Sequence, residues 1–228
     1  MGSIESEKNY TVIIGDIVDS RKLEGRGKIQ KRFKEVLENI NVKYSENIRS
    51  KFRITLGDEF QGLLMGTENV MQIVNDIEYE MFPVRFRFGI GIGEIDTEIN
   101  YENSAEIDGP AYHRARNMIR TVEQRESQYG ESGQNILICS GEESENPDRV
   151  MNALLAASQA LRSKWTQRQC EIVKSYERNE ENQYKTAEAL GISQSSVSRA
   201  LDNARFYAYK TALDTISDTM AHRENEKC

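Results

Sequence analysis

The sequence predicts an α+β fold: a ferredoxin-like, palm-type sheet domain followed by an all-α helix-turn-helix domain. Three observations carry that expectation. Over residues 10–139, short apolar runs and amphipathic stretches follow one another as strand, helix, hairpin, helix, strand, with a further helix and strand behind them. That is the order of a split βαβ sheet with its helices on one face. After Trp165 nothing reads as a strand. Between Tyr184 and Leu201 a glycine separates two short helical stretches at helix-turn-helix spacing.

The first strand is Tyr10 to Gly15, whose Val12, Ile13 and Ile14 form a buried β-branched run. A polar segment leads from Asp16 into a helix over Lys28 to Glu46, with Ile29, Phe33, Val36, Leu37 and Ile40 on one stripe. Phe52 to Leu56 and Phe60 to Met65 flank Gly57-Asp58-Glu59, which reads as a hairpin. A second helix, Glu68 to Met81, stops before Pro83. Val84 to Ile95 is a glycine-interrupted strand, the pattern of a strand that lies close to another backbone or a ligand. Gly109-Pro110 opens a helix to Arg125, since proline suits a first helical position. Asn135 to Cys139 is one more buried strand.

The tail begins with a linking helix, Arg149 to Leu161, expected to turn Val150, Leu154, Leu155 and Ala157 inward. Thr166 caps a helix reaching Arg178, with Ile172, Val173 and Tyr176 inward. In the glycine-separated pair, Ala187 is small where two helices cross, and Gly191 supplies the positive φ of a tight turn. Ser193 caps the second helix, and Leu190, Ile192, Val197 and Leu201 make a small core. Gln194, Ser195, Ser198 and Arg199 are left outward, where a recognition helix meets base edges and phosphates of double-stranded DNA. The same helices would also serve as a hairpin for dimerisation. Phe206, Tyr207, Tyr209, Leu213 and Ile216 recur at helical spacing as core or dimer interface. A homodimer is expected, because two half-sites about 34–36 Å apart need two recognition helices. The domain division is 1–146, a linking helix over 147–164, and 165–228.

Composition narrows the function. No run of about 18 apolar residues is present, which excludes a membrane-spanning helix, and residues 1–8 lack the pattern of a signal peptide. Cys139, Cys170 and Cys228 are scattered and lie near no histidine cluster, so neither a disulfide framework nor a zinc site is expected. A cytoplasmic protein follows. The net charge of −7 argues against non-specific coating of nucleic acid. From Leu161 onward, 11 Lys/Arg meet 10 Asp/Glu, so only the tail is neutral enough to approach a phosphate backbone.

Asp16 ends the first strand and Asp58 sits in the hairpin turn. In a palm-like sheet both emerge at one rim, where two hard oxygen donors suit Mg²⁺ carrying substrate phosphates. Taken singly, Asp16 is a loop residue and Asp58 a favoured turn residue. His113 reads either as a pH-responsive catalytic group or as a hydrogen-bonded surface histidine. Arg114 and Arg116 read as phosphate ligands or as solvated ion-pair partners.

Gly15-Asp16-Ile17-Val18 resembles the first metal motif of class III nucleotidyl cyclases, and Leu56-Gly57-Asp58-Glu59-Phe60 resembles their second. Arg87 to Glu94 resembles the strand that follows. Asp108 to Arg116 resembles the helix that carries their transition-state residues. The set GDIVDSR, TLGDEFQG, RFGIGIGEI and DGPAYHRAR, with the helical tail, is similar to the SatD family over nearly the whole chain. The cyclase resemblance implies Mg²⁺ at Asp16 and Asp58, phosphate contacts at Gly15, Ile17, Ser20, Arg21 and Arg116, and a catalytic part for Arg116 or His113. Departures cut against turnover. Ile54 stands where cyclases hold the purine with a lysine, and Asp19 stands where they have a glycine. No single register keeps both their asparagine and their arginine: one gives His113 and Asn117, the other Tyr112 and Arg116. Losing stabilisation of a developing oxyanion typically removes about 10²–10³ in rate. The reading is a DNA-binding regulator whose sheet domain holds a nucleotide or metal–nucleotide. An enzyme with a regulatory tail and a dead dimerisation scaffold are the alternatives.

Overall fold

Val12, Ile13 and Ile14 put apolar side chains on both sides of one strand, so that strand needs cover on both faces. The computed structural model, which describes residues 9–129, 134–141 and 145–226, provides it. Five strands, β1 (Tyr10–Ile17), β2 (Ile48–Leu56), β3 (Glu59–Met65), β4 (Phe86–Gly93) and β5 (Ile136–Cys139), form one mixed sheet in the order β2-β3-β1-β4-β5. The first four are antiparallel to each neighbour, and β5 runs parallel to β4.

The helices α1 (Arg26–Lys43) and α2 (Val70–Met81) cover one face. Ile13 and Ile17 point there, among Phe33, Val36, Ile73 and Ile77. Phe33 locks α1 down edge-on against Phe60, with ring centroids 5.3 Å apart, and lies 5.2 Å from Phe86.

The expectation of helices on one face is corrected by α3 (Pro110–Tyr129), which covers the opposite face. Val12, Ile14 and Leu63 pack there against Ala111, Ala115 and Ile119. Two glycines of β4 make this contact possible. A Cβ at Gly89 would stand 2.1 Å from the Ala115 carbonyl oxygen, and one at Gly91 2.1 Å from that of Ala111. The backbone of α3 therefore rests directly on the strand.

The chain continues through α4 (Glu145–Arg162), α5 (Gln167–Arg178), α6 (Gln183–Leu190), α7 (Gln194–Asn203) and α8 (Phe206–Glu226). In α4 the buried stripe is Met151, Leu155 and Ser158, while Val150 and Ala157 face solvent, so the sequence reading had the helix rotated. Asn152 is the reason. Its Oδ1 accepts from the Ile138 N–H and its Nδ2 donates to the Ile138 carbonyl, both at 2.8 Å, which pulls a polar residue against the sheet edge.

The apolar core runs without a break from α1 and α2 into the tail helices. A polar node lies within it. Arg162 pairs with Glu78 at 2.6 Å, donates to Tyr209 Oη at 3.0 Å and to Asn75 Oδ1 at 3.2 Å, and lies over the Tyr79 ring. Trp165 Nε1 donates to the Ala204 carbonyl at 2.7 Å. No described helix is long and apolar enough to cross a membrane.

Candidate functional site

The sheet rim separates residues that the sequence groups together. On β1 side chains alternate, so Asp16 shares the α3 face with Val12 and Ile14. Its cross-strand partner is Arg87, whose Nη1 donates to Asp16 Oδ1 at 2.9 Å while its Nε donates to Glu126 Oε2 at 2.5 Å. Burial pushes the Asp16 carboxyl up to about 7, against the pull of Arg87 and with help from the neighbouring Glu123.

Asp58 lies elsewhere. It follows Gly57, whose φ of +64° makes the tight turn between β2 and β3. With Ile17, Ser20, Arg26, Gln30 and Gly57 it lines a crevice of about 40 Å³ on the α1 side. That is room for about three waters. No hydrogen bond or ion pair reaches the Asp58 carboxylate among the described residues.

The other expected phosphate ligands are also dispersed. Gly15 lies under the Phe60 ring, and Ile17 belongs to the core. Arg21 is exposed on a short 3-10 turn, where Lys22 holds the Asp19 carboxyl below its ordinary range. Arg116 lies on the α3 face, 3.6 Å from Glu59 Oε1 and 3.4 Å from Gln61 Oε1. His113 is exposed, 3.6 Å from Asp108. Ile54 packs against the core. The rim thus brings together Ser20 with Asp58, and separately Asp16 with Arg87, Glu123 and Glu126. Asp58 opens toward α1, whereas Asp16 and Arg116 both lie on the α3 face.

The two aspartates have different surroundings. The Asp16 carboxyl is bound by the Arg87 guanidinium, and Asp58 opens into a crevice on the α1 side. Among the described residues, no group of three or more His, Cys, Asp or Glu could hold a metal. The sequence reading gave Arg87 no role beyond its place in the strand motif and did not single out Glu123 or Glu126. Arg87 interrupts the apolar strand that carries it, which marked it as partnered without saying by what.

The tail offers a second candidate. A capping box joins Thr166 and Gln169 at the start of α5, and Asn182 accepts from the N–H groups of Tyr184 and Lys185 at the start of α6. Gly191 ends α6 with φ +62°. Ser193 then caps α7 by accepting from the Ser196 N–H. Ala187, Val197 and Leu201 are buried between these helices. Ser195 and Arg199 are exposed, with Arg199 Nε donating to the Ser195 carbonyl at 3.2 Å, and Gln194 and Ser198 are half-buried.

The sequence profile of the SatD family matches residues 10–218. The chain belongs to the SatD family. A search of curated proteins gives no match for this SatD family chain. Among solved structures it is similar to a bacterial light-regulated adenylyl cyclase at 15% identity, covering 57% of this chain and 75% of that one, with a TM-score of 0.39. It is also similar to the adenylyl cyclase CyaB from P. aeruginosa, at 17% identity over 48% and 70% of the two chains and a TM-score of 0.36. A third is the guanylate cyclase domain of RhGC from Catenaria anguillulae in complex with GTP, at 16% identity over 50% and 74%, with a TM-score of 0.37.

Proposed function

We propose that this SatD family chain is a DNA-binding regulator whose cyclase-like sheet binds a nucleotide without turning it over. One observation carries the DNA reading. The α6–α7 pair has its apolar residues, Ala187, Val197 and Leu201, turned inward, and short neutral hydrogen-bonding groups plus one arginine on the outer side of α7. A packing helix would carry leucine at Gln194, Ser195, Ser198 and Arg199, whereas a major groove selects such polar residues. Two copies would present two recognition helices to two half-sites.

The nucleotide reading rests on the rim. Ser20 and the exposed Arg21 sit on the turn beside the Asp58 crevice and offer a hydroxyl and a guanidinium to a phosphate. Turnover would require an ionised Asp16 and an arginine free to meet the transferred phosphate. Asp16 is occupied by Arg87, and Arg116 stands against Glu59 and Gln61.

Duplex binding is tested by fluorescence anisotropy with DNA selected from a random pool, and the rim by thermal shift against nucleotides with and without Mg²⁺. Retained duplex and a nucleotide-dependent melting shift with no product on chromatography are expected. A cyclic nucleotide formed steadily, and lost in Asp16→Ala, would replace this reading with an enzyme. No duplex retention would remove the regulator.

A further inference from the structure

Three helices meet at the start of α7 through a chain of side-chain hydrogen bonds. Gln194 Nε2 donates to Gln183 Oε1 at 2.6 Å, and Gln183 Nε2 donates to the Tyr207 hydroxyl at 3.2 Å. Gln194 is the first residue of α7, Gln183 the first of α6 and Tyr207 the second of α8. Tyr207 is itself braced, with its ring 5.6 Å from Phe206 and its hydroxyl beside that of the buried Tyr176. These glutamines are not helix caps. Asn182 and Ser193 already accept the free N–H groups at the two helix starts.

The chemistry left over on Gln194 is specific. A glutamine amide has two N–H donors and one carbonyl acceptor. One donor is committed to Gln183, which leaves the carbonyl and one N–H of the same amide without a partner among the described residues. In the major groove adenine presents a donor, N6–H, beside an acceptor, N7. Guanine presents two acceptors there, cytosine a donor alone, and thymine an acceptor beside a methyl group. Only adenine meets both free groups of Gln194. A surface glutamine would otherwise lose rotamer freedom on engaging a base, and a side chain already fixed by the protein avoids that loss.

We infer that Gln194 reads an adenine in each half-site, and that Gln183 and Tyr207 are positioning residues that hold its amide in the reading orientation. The inference rests on the DNA-binding reading above and adds the base it selects.

The test uses the full chain. Duplexes are selected from a random pool by the wild type, Gln194→Ala, Gln183→Leu and Tyr207→Phe, and base frequencies are compared position by position. The wild-type duplex is then remade with 7-deazaadenine, which lacks the N7 acceptor, at the selected adenine. That change should weaken wild-type binding about tenfold, the scale of one good bidentate contact, and should leave Gln194→Ala unaffected. Gln183→Leu and Tyr207→Phe should lose the preference at that single position while keeping their melting temperatures and their salt dependence. A base preference unchanged in Gln194→Ala, or indifference of the wild type to 7-deazaadenine, overturns the inference and leaves DNA binding standing. Equal loss at every position in Gln183→Leu overturns the positioning role. Absence of any duplex binding by the wild type overturns the underlying reading as well.

Discussion

Arg162→Met removes the buried cation that ties Glu78 of α2 to α4 and α8. The Arg162 and Glu78 side chains are 10% and 11% exposed, and their contact is 2.6 Å. Methionine keeps most of the volume but leaves the Glu78 carboxylate buried beside Asn135, its remaining hydrogen-bond donor. It also strips Tyr209 and Asn75 of a donor. Breaking a buried pair from one side costs about 3–5 kcal/mol, because the surviving charge has lost its compensation. For a chain of this size that is a fall in Tm of about 6–20 °C. The measurement is urea unfolding with calorimetry alongside. The urea slope should hold while the midpoint drops, since the surface exposed on unfolding is unchanged. Glu78→Gln combined with Arg162→Met should recover much of the loss. A change under about 1 kcal/mol, the scale of an exposed pair, would show that the node is solvated and would refute the reasoning.

Arg199→Ala should weaken duplex binding and lower the slope of log affinity against log salt by about 0.9 if the residue meets one phosphate; a salt titration by anisotropy measures it. Burial raises Asp16 and Glu177 to about 7 from ordinary values of 3.8 and 4.5. Each group's stabilisation is therefore complete below the unfolded value and is lost as pH rises through about 7. Unfolding midpoints should fall from pH 5 to 8, and Asp16→Asn and Glu177→Gln should each flatten the fall. Gly91→Ala drives a Cβ into the Ala111 carbonyl of α3 and should cost about 1–3 kcal/mol by chemical unfolding, the usual price of overpacking. Phe33→Ala should cost about 3–5 kcal/mol by the same measurement, as it empties the aromatic contact between α1 and the sheet.

The strands and most helices were legible because their signals are local. The β-branched run at Val12 to Ile14, the stripe from Phe33 to Ile40, and the turn residues Gly191 and Ser193 each act within a few positions of themselves. The second covered face was legible in principle, since three consecutive apolar residues on β1 require it, and Gly89 and Gly91 even marked where α3 would rest. What stayed hidden depends on partners distant in sequence. Arg87 meets Asp16 across 71 positions, and no local pattern says that a motif aspartate is already paired. The rotation of α4 was missed for a related reason: the site that turns it is a backbone amide and carbonyl at Ile138, which have no side-chain signature.

That Asn152 contact also bears on whether another strand can join this sheet. The open flank of β5 is where another strand would add, and Asn152 occupies the Ile138 N–H and carbonyl that such a strand would need. On the opposite flank, the Lys51 N–H of β2 donates to the Tyr101 carbonyl, and Ser50 Oγ donates to the Asn100 carbonyl. At each border, backbone groups that an added strand would need are thus already engaged within the chain, which works against lengthening of the sheet by a neighbour. The surfaces left open to other molecules are then chiefly those of the helices, where contact is made by side chains rather than by a backbone ladder.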